Sequence, residues 1–277
     1  MNCGFIPLRF PLGSYRLPAF SRHSLVCPLK TRFRQIQMAA VTFKKQNTDV
    51  PGILYGENAP NNFGVIVVQE WWGLNEVIKK RAQELSDGLQ CKALLPDFYR
   101  GKVATQPDEA HHMMTNLDWP GAIDDIAAAC QYLKESKQCK KVGIVGYCMG
   151  GAIALAAAAL HPAVDAAVCF YGTPPAQLCD VKNIKVPVQC HFGEQDKSQG
   201  FSDLATAKAL EQKLKEGNVP HEFYYYPKAG HAFMNPPDGG FTDEMRSKVE
   251  MLRPYDEESR QLALSRMLEF FRKNLSS

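Results

Sequence analysis

A cysteine flanked by glycines is the residue of this chain with the clearest chemical potential. Cys148 lies in Gly146-Tyr147-Cys148-Met149-Gly150-Gly151, after the apolar run 142–145 and before the alanine-rich stretch 152–159. A strand that passes through Gly-x-Cys-x-Gly directly into a helix is typical of a nucleophile elbow, here with cysteine in place of serine. The glycines leave room for so tight a turn, and a helix N-terminus favours the thiolate. The alternative is that Cys148 is a small buried apolar residue.

An acid and a histidine follow two strand-like runs downstream. Asp196 comes just after 186–192, and His231 follows 222–226 after a short loop. The order Cys148, Asp196, His231, each past a predicted strand, is the nucleophile–acid–histidine order of the α/β-hydrolases. A single histidine in such a place is more often structural, but three residues in this order favour catalysis. Because the carboxyl ends of parallel strands form the site crevice, we expect the three to meet there.

Strand-like and helix-like patterns alternate along the chain and predict the elements that position these residues. The strand-like runs are 65–69, 91–95, 142–147, 166–171, 186–192 and 222–226, and the helical patterns are 75–88, 120–136, 149–160, 203–217 and 257–274. This alternation predicts an α/β fold with a doubly wound, mostly parallel sheet flanked by helices. The irregular segment 235–255 is expected to wrap near the mouth of the site, where it is a candidate lid.

The beginning of the chain differs in composition from the rest. No acidic residue precedes Asp49, whereas eight Lys and Arg do, and removing those eight from the 32 of the whole chain leaves 24 against 29 acidic residues. The mildly acidic remainder argues against nucleic acid as a partner, and no segment approaches the ~20 apolar residues of a membrane span.

The acid-free, arginine-containing beginning predicts an organellar transit peptide, disordered over 1–40, ahead of one catalytic domain at 41–277. Chloroplast and mitochondrion are both open as destinations. The alternatives are a disordered leader without a targeting function, or translation from Met38, which would leave a cytoplasmic protein.

The nine cysteines contain no C-x-x-C pair and no zinc-ligand spacing. His111 and His112, in a polar helical stretch, point to different helix faces and make a poor metal pair. We therefore expect no metal, no organic cofactor and mostly buried free thiols. The expected partner is a small molecule, bound by a monomer.

Four segments together resemble the dienelactone hydrolase (carboxymethylenebutenolidase) family, in its bacterial and plant-type branch. They are 65–73, 96–100, 146–151 and 230–233, and the resemblance covers roughly 41–275. It implies an α/β-hydrolase that cleaves an ester or lactone. In that reaction Cys148 would form a thioester, His231 would carry the proton and later activate water, and Asp196 would orient the imidazole.

The resemblance also implies roles for residues outside the Cys-Asp-His set. The backbone N–H of Met149 and, by resemblance, that of Trp71 would form the oxyanion hole. Glu70, at the end of an apolar run, would regulate the Cys148 thiol, and Arg100 would bind a substrate carboxylate. The alternative for Glu70 is a salt bridge to Arg100.

One departure from the bacterial pattern bears on the substrate. That pattern has a serine directly after the catalytic histidine and an arginine four residues after it, and here Ala232 and Asn235 occupy those positions. One anion contact is missing unless Arg246 or Arg253 replaces it.

Trp71, Trp72 and Trp119 are candidates for an aromatic pocket that would take a larger ester. The competing functions are a general carboxylesterase or thioesterase, a thiol redox protein that uses Cys148, and a catalytically silent interaction protein.

Overall fold

An eight-stranded sheet forms the centre of the protein. The computed structural model describes residues 38–237 and 255–276. The strands are β1 (Ala39–Lys45), β2 (Thr48–Tyr55), β3 (Phe63–Val68), β4 (Lys92–Pro96), β5 (Lys141–Tyr147), β6 (Ala166–Phe170), β7 (Val188–Gly193) and β8 (His221–Tyr226). They lie in the order β1-β2-β4-β3-β5-β6-β7-β8. The strands β3 to β8 run parallel, and within the described ranges β1 and β2 add the antiparallel pairings.

Helices cover both faces of this sheet. They are α1 (Glu76–Leu89), α2 (Pro107–Thr115), α3 (Trp119–Gln131, continued by a π-helical turn Tyr132–Ser136), α4 (Met149–Leu160), α5 (Leu204–Glu216) and α6 (Glu257–Leu275). Four of them begin at side chains that accept a hydrogen bond from the first turn, namely Asn75, Asp118, Asp203 and Asp256. Such caps satisfy N–H groups that the helix itself leaves unpaired.

Strand β3 shows why its sequence is apolar without alternation. Val65 and Val67 contact a core cluster that includes side chains of α1 and α6. Ile66 and Val68 contact the opposite cluster, which includes side chains of α3, α4 and α5. A central parallel strand is buried on both faces, so every position of the run is apolar.

The predicted fold class is confirmed: the protein has a doubly wound α/β sheet, and each predicted strand and helix coincides with an observed one within a few residues. Strands β1 and β2 were not predicted, and β1 begins at Ala39, two residues before the expected domain start. The first 37 residues and residues 238–254 of the candidate lid lie outside the described residues. Within the described ranges, no helix is both long and apolar enough to cross a membrane.

The turn between β5 and α4 is closed by contacts between backbone segments. A Cβ added at Gly146 would lie 1.9 Å from the carbonyl oxygen of Gly150. A Cβ added at Gly150 would lie 2.5 Å from the carbonyl oxygen of Gln69. Glycine is therefore required at both positions, because backbone atoms cannot move aside as the end of a side chain can.

We predict that Gly146→Ala lowers the free energy of unfolding by about 3 kcal/mol or more, at the upper end of overpacking costs. Gly88→Ala in α1 is the control, because its Cβ would meet only side-chain carbons of Leu268, the nearest at 3.1 Å. That variant should stay within about 1 kcal/mol of the wild type. Urea unfolding measures both, and equal losses would contradict this account of the turn.

Candidate active site

Cys148 occupies the turn in a strained conformation. Its φ is 55° and its ψ is −120°, between the end of β5 and the first residue of α4. Such a backbone costs a side chain on the order of 1–3 kcal/mol and persists only where the surroundings enforce it. Here the Cys148 N–H donates to the Phe170 carbonyl at 3.0 Å, and the Cys148 carbonyl accepts from Gly151 and Ala152 at 2.9 and 3.2 Å.

A chain of hydrogen bonds runs from the Cys148 sulfur to a buried carboxylate. The distance from Cys148 Sγ to His231 Nε2 is 3.2 Å, and that from His231 Nδ1 to Asp196 Oδ2 is 2.7 Å. The Ser198 N–H donates to the second Asp196 oxygen at 2.9 Å, and the Ser202 hydroxyl lies 3.0 Å from His231 Nδ1. The structure thus brings together the three residues that the sequence placed after β5, β7 and β8.

Within this set of hydrogen bonds, the pKa values of Asp196 and His231 move apart. Burial alone would lower the pKa of His231, but the charge of Cys148 and the hydrogen bond and charge of Asp196 outweigh it and raise this pKa well above its usual value. Burial alone would raise the pKa of Asp196, but the charge of His231 and its hydrogen bonds lower this pKa. The arrangement favours an imidazolium paired with the Asp196 carboxylate.

An apolar cavity of about 310 Å³ lies beside the Cys148 sulfur. Its lining residues are Trp71, Met114, Trp119, Cys148, Thr173, Pro174, Pro175, Gly200, Phe201 and His231. Within the described part of the chain, His231 is the one lining residue that can carry a positive charge. Trp71 and Trp119 line the cavity as expected, whereas Trp72 is 2% exposed and belongs to the core. In the same ranges, no three His, Cys, Asp or Glu residues are grouped to hold a metal ion.

Glu70 lies just beyond β3 and is buried, and in the part of the chain that the structure describes it shares no hydrogen bond with Cys148. Its Oε1 accepts from the Tyr171 hydroxyl at 3.2 Å, and both its oxygens accept from the Asn235 amide, at 3.3 and 3.0 Å. Its ion-pair partner is Arg81 of α1, at 3.9 Å. The alternative of a Glu70–Arg100 salt bridge is therefore wrong, because a different arginine reaches this carboxylate.

Arg100 is not brought into the cavity beside Cys148. Its guanidinium donates to Asp125 at 2.6 Å and to the Asp97 carbonyl at 2.5 Å. It lines a separate depression that Met113 of α2 also lines, whereas the next residue, Met114, faces the Cys148 cavity. Arg100 was assigned to a substrate carboxylate by resemblance alone, and its observed partner is the buried Asp125.

The structure brings the two expected oxyanion donors to the same edge of the sheet. Met149 is the first residue of α4, and Trp71 follows the end of β3 and lines the cavity. The two segments touch, since a Cβ on Gly150 would lie within 2.6 Å of the carbonyl oxygens of Val68 and Gln69. Arg246 and Arg253, considered as a replacement anion contact, lie outside the described residues.

Three residues of the site were missed from the sequence: Arg81, Tyr171 and Ser202. Arg81 could have been identified from the sequence, because it shares the buried face of α1 with Ile78, Ala82 and Leu85. An arginine at an apolar position of an amphipathic helix needs a buried partner.

Comparison with known proteins agrees with this architecture. The model of the dienelactone hydrolase family matches residues 50–275. The carboxymethylenebutenolidase of Pseudomonas putida is 30% identical over 202 residues, which are 69% of this chain and 83% of that protein. "Protein usf" of Aquifex pyrophilus is 34% identical over 182 residues, which are 62% of this chain and 77% of that protein.

Two solved structures show the same fold at low sequence identity. The dienelactone hydrolase-like promiscuous phosphotriesterase P91, from metagenomic libraries, has a TM-score of 0.73 and 22% identity, covering 86% of this chain and 98% of its own. The dienelactone hydrolase of Anabaena variabilis has a TM-score of 0.55 and 23% identity, covering 79% of this chain and 100% of its own.

The parallel sheet with a sharp strand-to-helix turn at its carboxyl edge defines an α/β-hydrolase. The chain belongs to the dienelactone hydrolase family and is a hydrolase that acts on ester or lactone bonds.

We predict that iodoacetamide at pH 7 alkylates Cys148 at least about tenfold faster than any other described cysteine, because alkylation requires an accessible thiolate. Cys148 reaches the cavity and contacts His231. Burial raises the pKa of Cys130 to about 12 and that of Cys179 to about 11. Peptide mass spectrometry over time measures the rates, and faster labelling of another described thiol would contradict the prediction.

Proposed function

We propose that Cys148, His231 and Asp196 form a catalytic triad that hydrolyses a carboxylic ester or lactone through a thioester. The observation that carries this proposal is the contact of 3.2 Å between Cys148 Sγ and the Nε2 of an imidazole whose Nδ1 lies 2.7 Å from a buried carboxylate. Nucleophile, base and orienting acid are then in hydrogen-bond reach beside a cavity, which is the geometry that covalent catalysis requires.

The reaction proceeds in two halves. The Cys148 thiol passes its proton to His231 Nε2, the sulfur forms a bond to the carbonyl carbon, and the π electrons move to the carbonyl oxygen. The N–H groups of Met149 and Trp71 are proposed to stabilise that oxyanion, and loss of one such donor typically costs about 2.7–4 kcal/mol. When the tetrahedral adduct collapses, the C–O bond breaks and His231 gives its proton to the alcohol. His231 then removes a proton from water, which attacks the thioester and releases the acid and the thiol.

A cysteine nucleophile restricts the bond that can be cleaved. In the tetrahedral adduct, a thiolate leaves more readily than an unprotonated amine, so the collapse of an amide adduct favours return to substrate. An alkoxide of an activated ester or lactone, or a second thiolate, competes successfully with the enzyme sulfur. The proposed substrates are therefore esters, lactones and thioesters.

The cavity favours a neutral, apolar acyl or alcohol group. Its lining consists mainly of aromatic, proline and methionine side chains, and Arg100 is not among them. Asn235, where the family resemblance has an arginine, carries no charge, and its amide contacts Arg81 and Glu70. Among the described residues, the one cation that an isolated carboxylate would meet in this cavity is His231, which already pairs with Asp196, so the loss of hydration would be poorly offset. A neutral ester therefore fits better than a dienelactone that bears a free carboxylate, although family membership keeps the latter as the second candidate.

We predict that the full chain hydrolyses a neutral aryl ester with a kcat/KM at least about tenfold above that for a carboxylated dienelactone, since a buried anion without a partner is costly. The Cys148→Ala variant should lose all turnover of both substrates. The matched control is Cys179→Ala, because Cys148 and Cys179 are both 8% exposed but only Cys148 lines this cavity.

Initial rates under reducing conditions measure these values. A tenfold loss of activity corresponds to a barrier raised by about 1.4 kcal/mol. A Cys148→Ala variant that kept more than about a tenth of the wild-type activity would refute the assignment of Cys148 as the nucleophile. A strong preference for the carboxylated lactone would keep the triad and reject the neutral substrate class.

We further propose that residues 1–40 direct import into a chloroplast or mitochondrion, on the basis of their acid-free, arginine-containing composition. A fluorescent fusion of the full chain should concentrate in one organelle, while a fusion of residues 39–277 should stay diffuse. A diffuse full-length fusion would reject the import signal.

A further inference from the structure

A buried arginine lies behind the proposed active site. Arg81 is only 5% exposed, although it belongs to α1, most of whose polar residues face outward. Its guanidinium carbon lies 4.1 Å from the centre of the Tyr147 ring. Tyr147 directly precedes Cys148 in the chain. A buried guanidinium without partners costs several kcal/mol, so the groups that face it indicate its purpose.

Those groups lead from Arg81 to Glu70 by two routes. Arg81 Nη2 donates to the Asn235 side-chain oxygen, and the Asn235 nitrogen donates to both oxygens of Glu70, at 3.3 and 3.0 Å. Directly, Arg81 Nη1 lies 3.9 Å from Glu70 Oε1. The amide of Asn235 is thereby fixed in orientation, because its oxygen accepts from the cation and its nitrogen donates to the anion.

A third donor completes the surroundings of Glu70. The Tyr171 hydroxyl donates to Oε1 at 3.2 Å, and burial raises the pKa of Tyr171 well above its usual value, so this group remains a neutral donor. The Tyr171 ring meets the His231 ring edge to face, with 5.0 Å between centroids. Among the described residues, the hydrogen-bond partner of the Cys148 sulfur is His231, and Glu70 shares no hydrogen bond with it.

We propose that Arg81 is a positioning residue that, directly and through Asn235, holds the Glu70 carboxylate away from Cys148, so that the thiol is paired with His231 before substrate enters. The inference deepens the proposed function and rests on it in taking Cys148 as the nucleophile. It assigns Glu70 a task different from the one implied by resemblance, in which the glutamate holds the resting thiol. A preassembled Cys148–His231 pair needs no anionic substrate to displace Glu70, which accords with a neutral substrate.

The test measures the pH dependence of Cys148 alkylation in the full chain, with iodoacetamide as the probe and peptide mass spectrometry as the readout. Arg81→Met removes the cation and leaves the Glu70 carboxylate free to approach the thiol. Its negative charge then disfavours the thiolate, so the midpoint should rise by about one pH unit, which gives about tenfold slower alkylation at pH values below both midpoints. The double variant Arg81→Met with Glu70→Gln should return to the wild-type midpoint, because the anion has also been removed.

Arg260→Met is the matched control. Arg260 lines the same surface depression as Arg81 but pairs with Glu84 at 3.1 Å. In the Arg260→Met variant, the midpoint of Cys148 alkylation should equal that of the wild type. The proposal would be overturned if the Arg81→Met protein kept its thermal transition and also kept the wild-type midpoint of Cys148 alkylation. It would also be overturned if the midpoint of the double variant stayed above that of the wild type.

If Arg81→Met does not fold, Glu70→Gln alone decides. The proposal expects its alkylation rate at pH 7 to stay within about threefold of the wild type, because Glu70 does not contact the thiol; a tenfold loss, worth about 1.4 kcal/mol, would show that Glu70 ionises Cys148 directly and overturn it. The assay contains no ester. A protein that shows these shifts but hydrolyses no ester would reject the proposed function and retain the role of Arg81.

Discussion

Cys148 keeps its positive φ because backbone segments from three strands close around the turn that contains it. The end of β3 contacts the first turn of α4, the Phe170 carbonyl at the end of β6 accepts the Cys148 N–H, and Gly146 contacts Gly150 within the turn. Tyr171 and Ala232, near the other parts of the site, also have positive φ. Strain of this kind needs a rigid surrounding, and the sheet buried on both faces supplies it. The sulfur, the imidazole and the carboxylate meet because the carboxyl ends of β5, β7 and β8 are fixed.

Two buried carboxylates differ in their surroundings, and that difference organises the charges of the site. Asp196 faces the imidazole and accepts a hydrogen bond from the Ser198 N–H of its own loop. Glu70 faces an arginine, an amide and a phenol, and among the described residues it shares no hydrogen bond with the thiol. In the proposed mechanism, the first carboxylate stabilises the positive charge that catalysis creates on His231. The second is compensated by Arg81, so that it does not oppose the thiolate.

Much of this arrangement was readable from the sequence because local patterns encode it. The apolar runs predicted the parallel strands, and the Gly-x-Cys-x-Gly turn, Asp196 and His231 followed from strand ends. Strands β1 and β2 were not predicted because they form one end of the sheet, where one of seven positions in β1 and four of eight in β2 are buried.

The partners of Glu70 were not predicted from the sequence, for a different reason. Arg81 and Asn235 are 154 residues apart, and nothing local in either segment encodes a contact of that range. For Arg100, in the turn after β4, the resemblance gave a role, but Asp125 of α3 decides where its guanidinium lies.

The central claim is that Cys148 carries the acyl group during turnover, and rapid acid quenching with intact-protein mass spectrometry tests it most directly. Mixed with a neutral aryl ester and quenched within the first turnover, the protein should gain the mass of one acyl group. Peptide mapping should place that group on Cys148, and the adduct should disappear as substrate is exhausted. Continued hydrolysis with no adduct, or an adduct on another residue that forms and decays at the rate of turnover, would contradict the account.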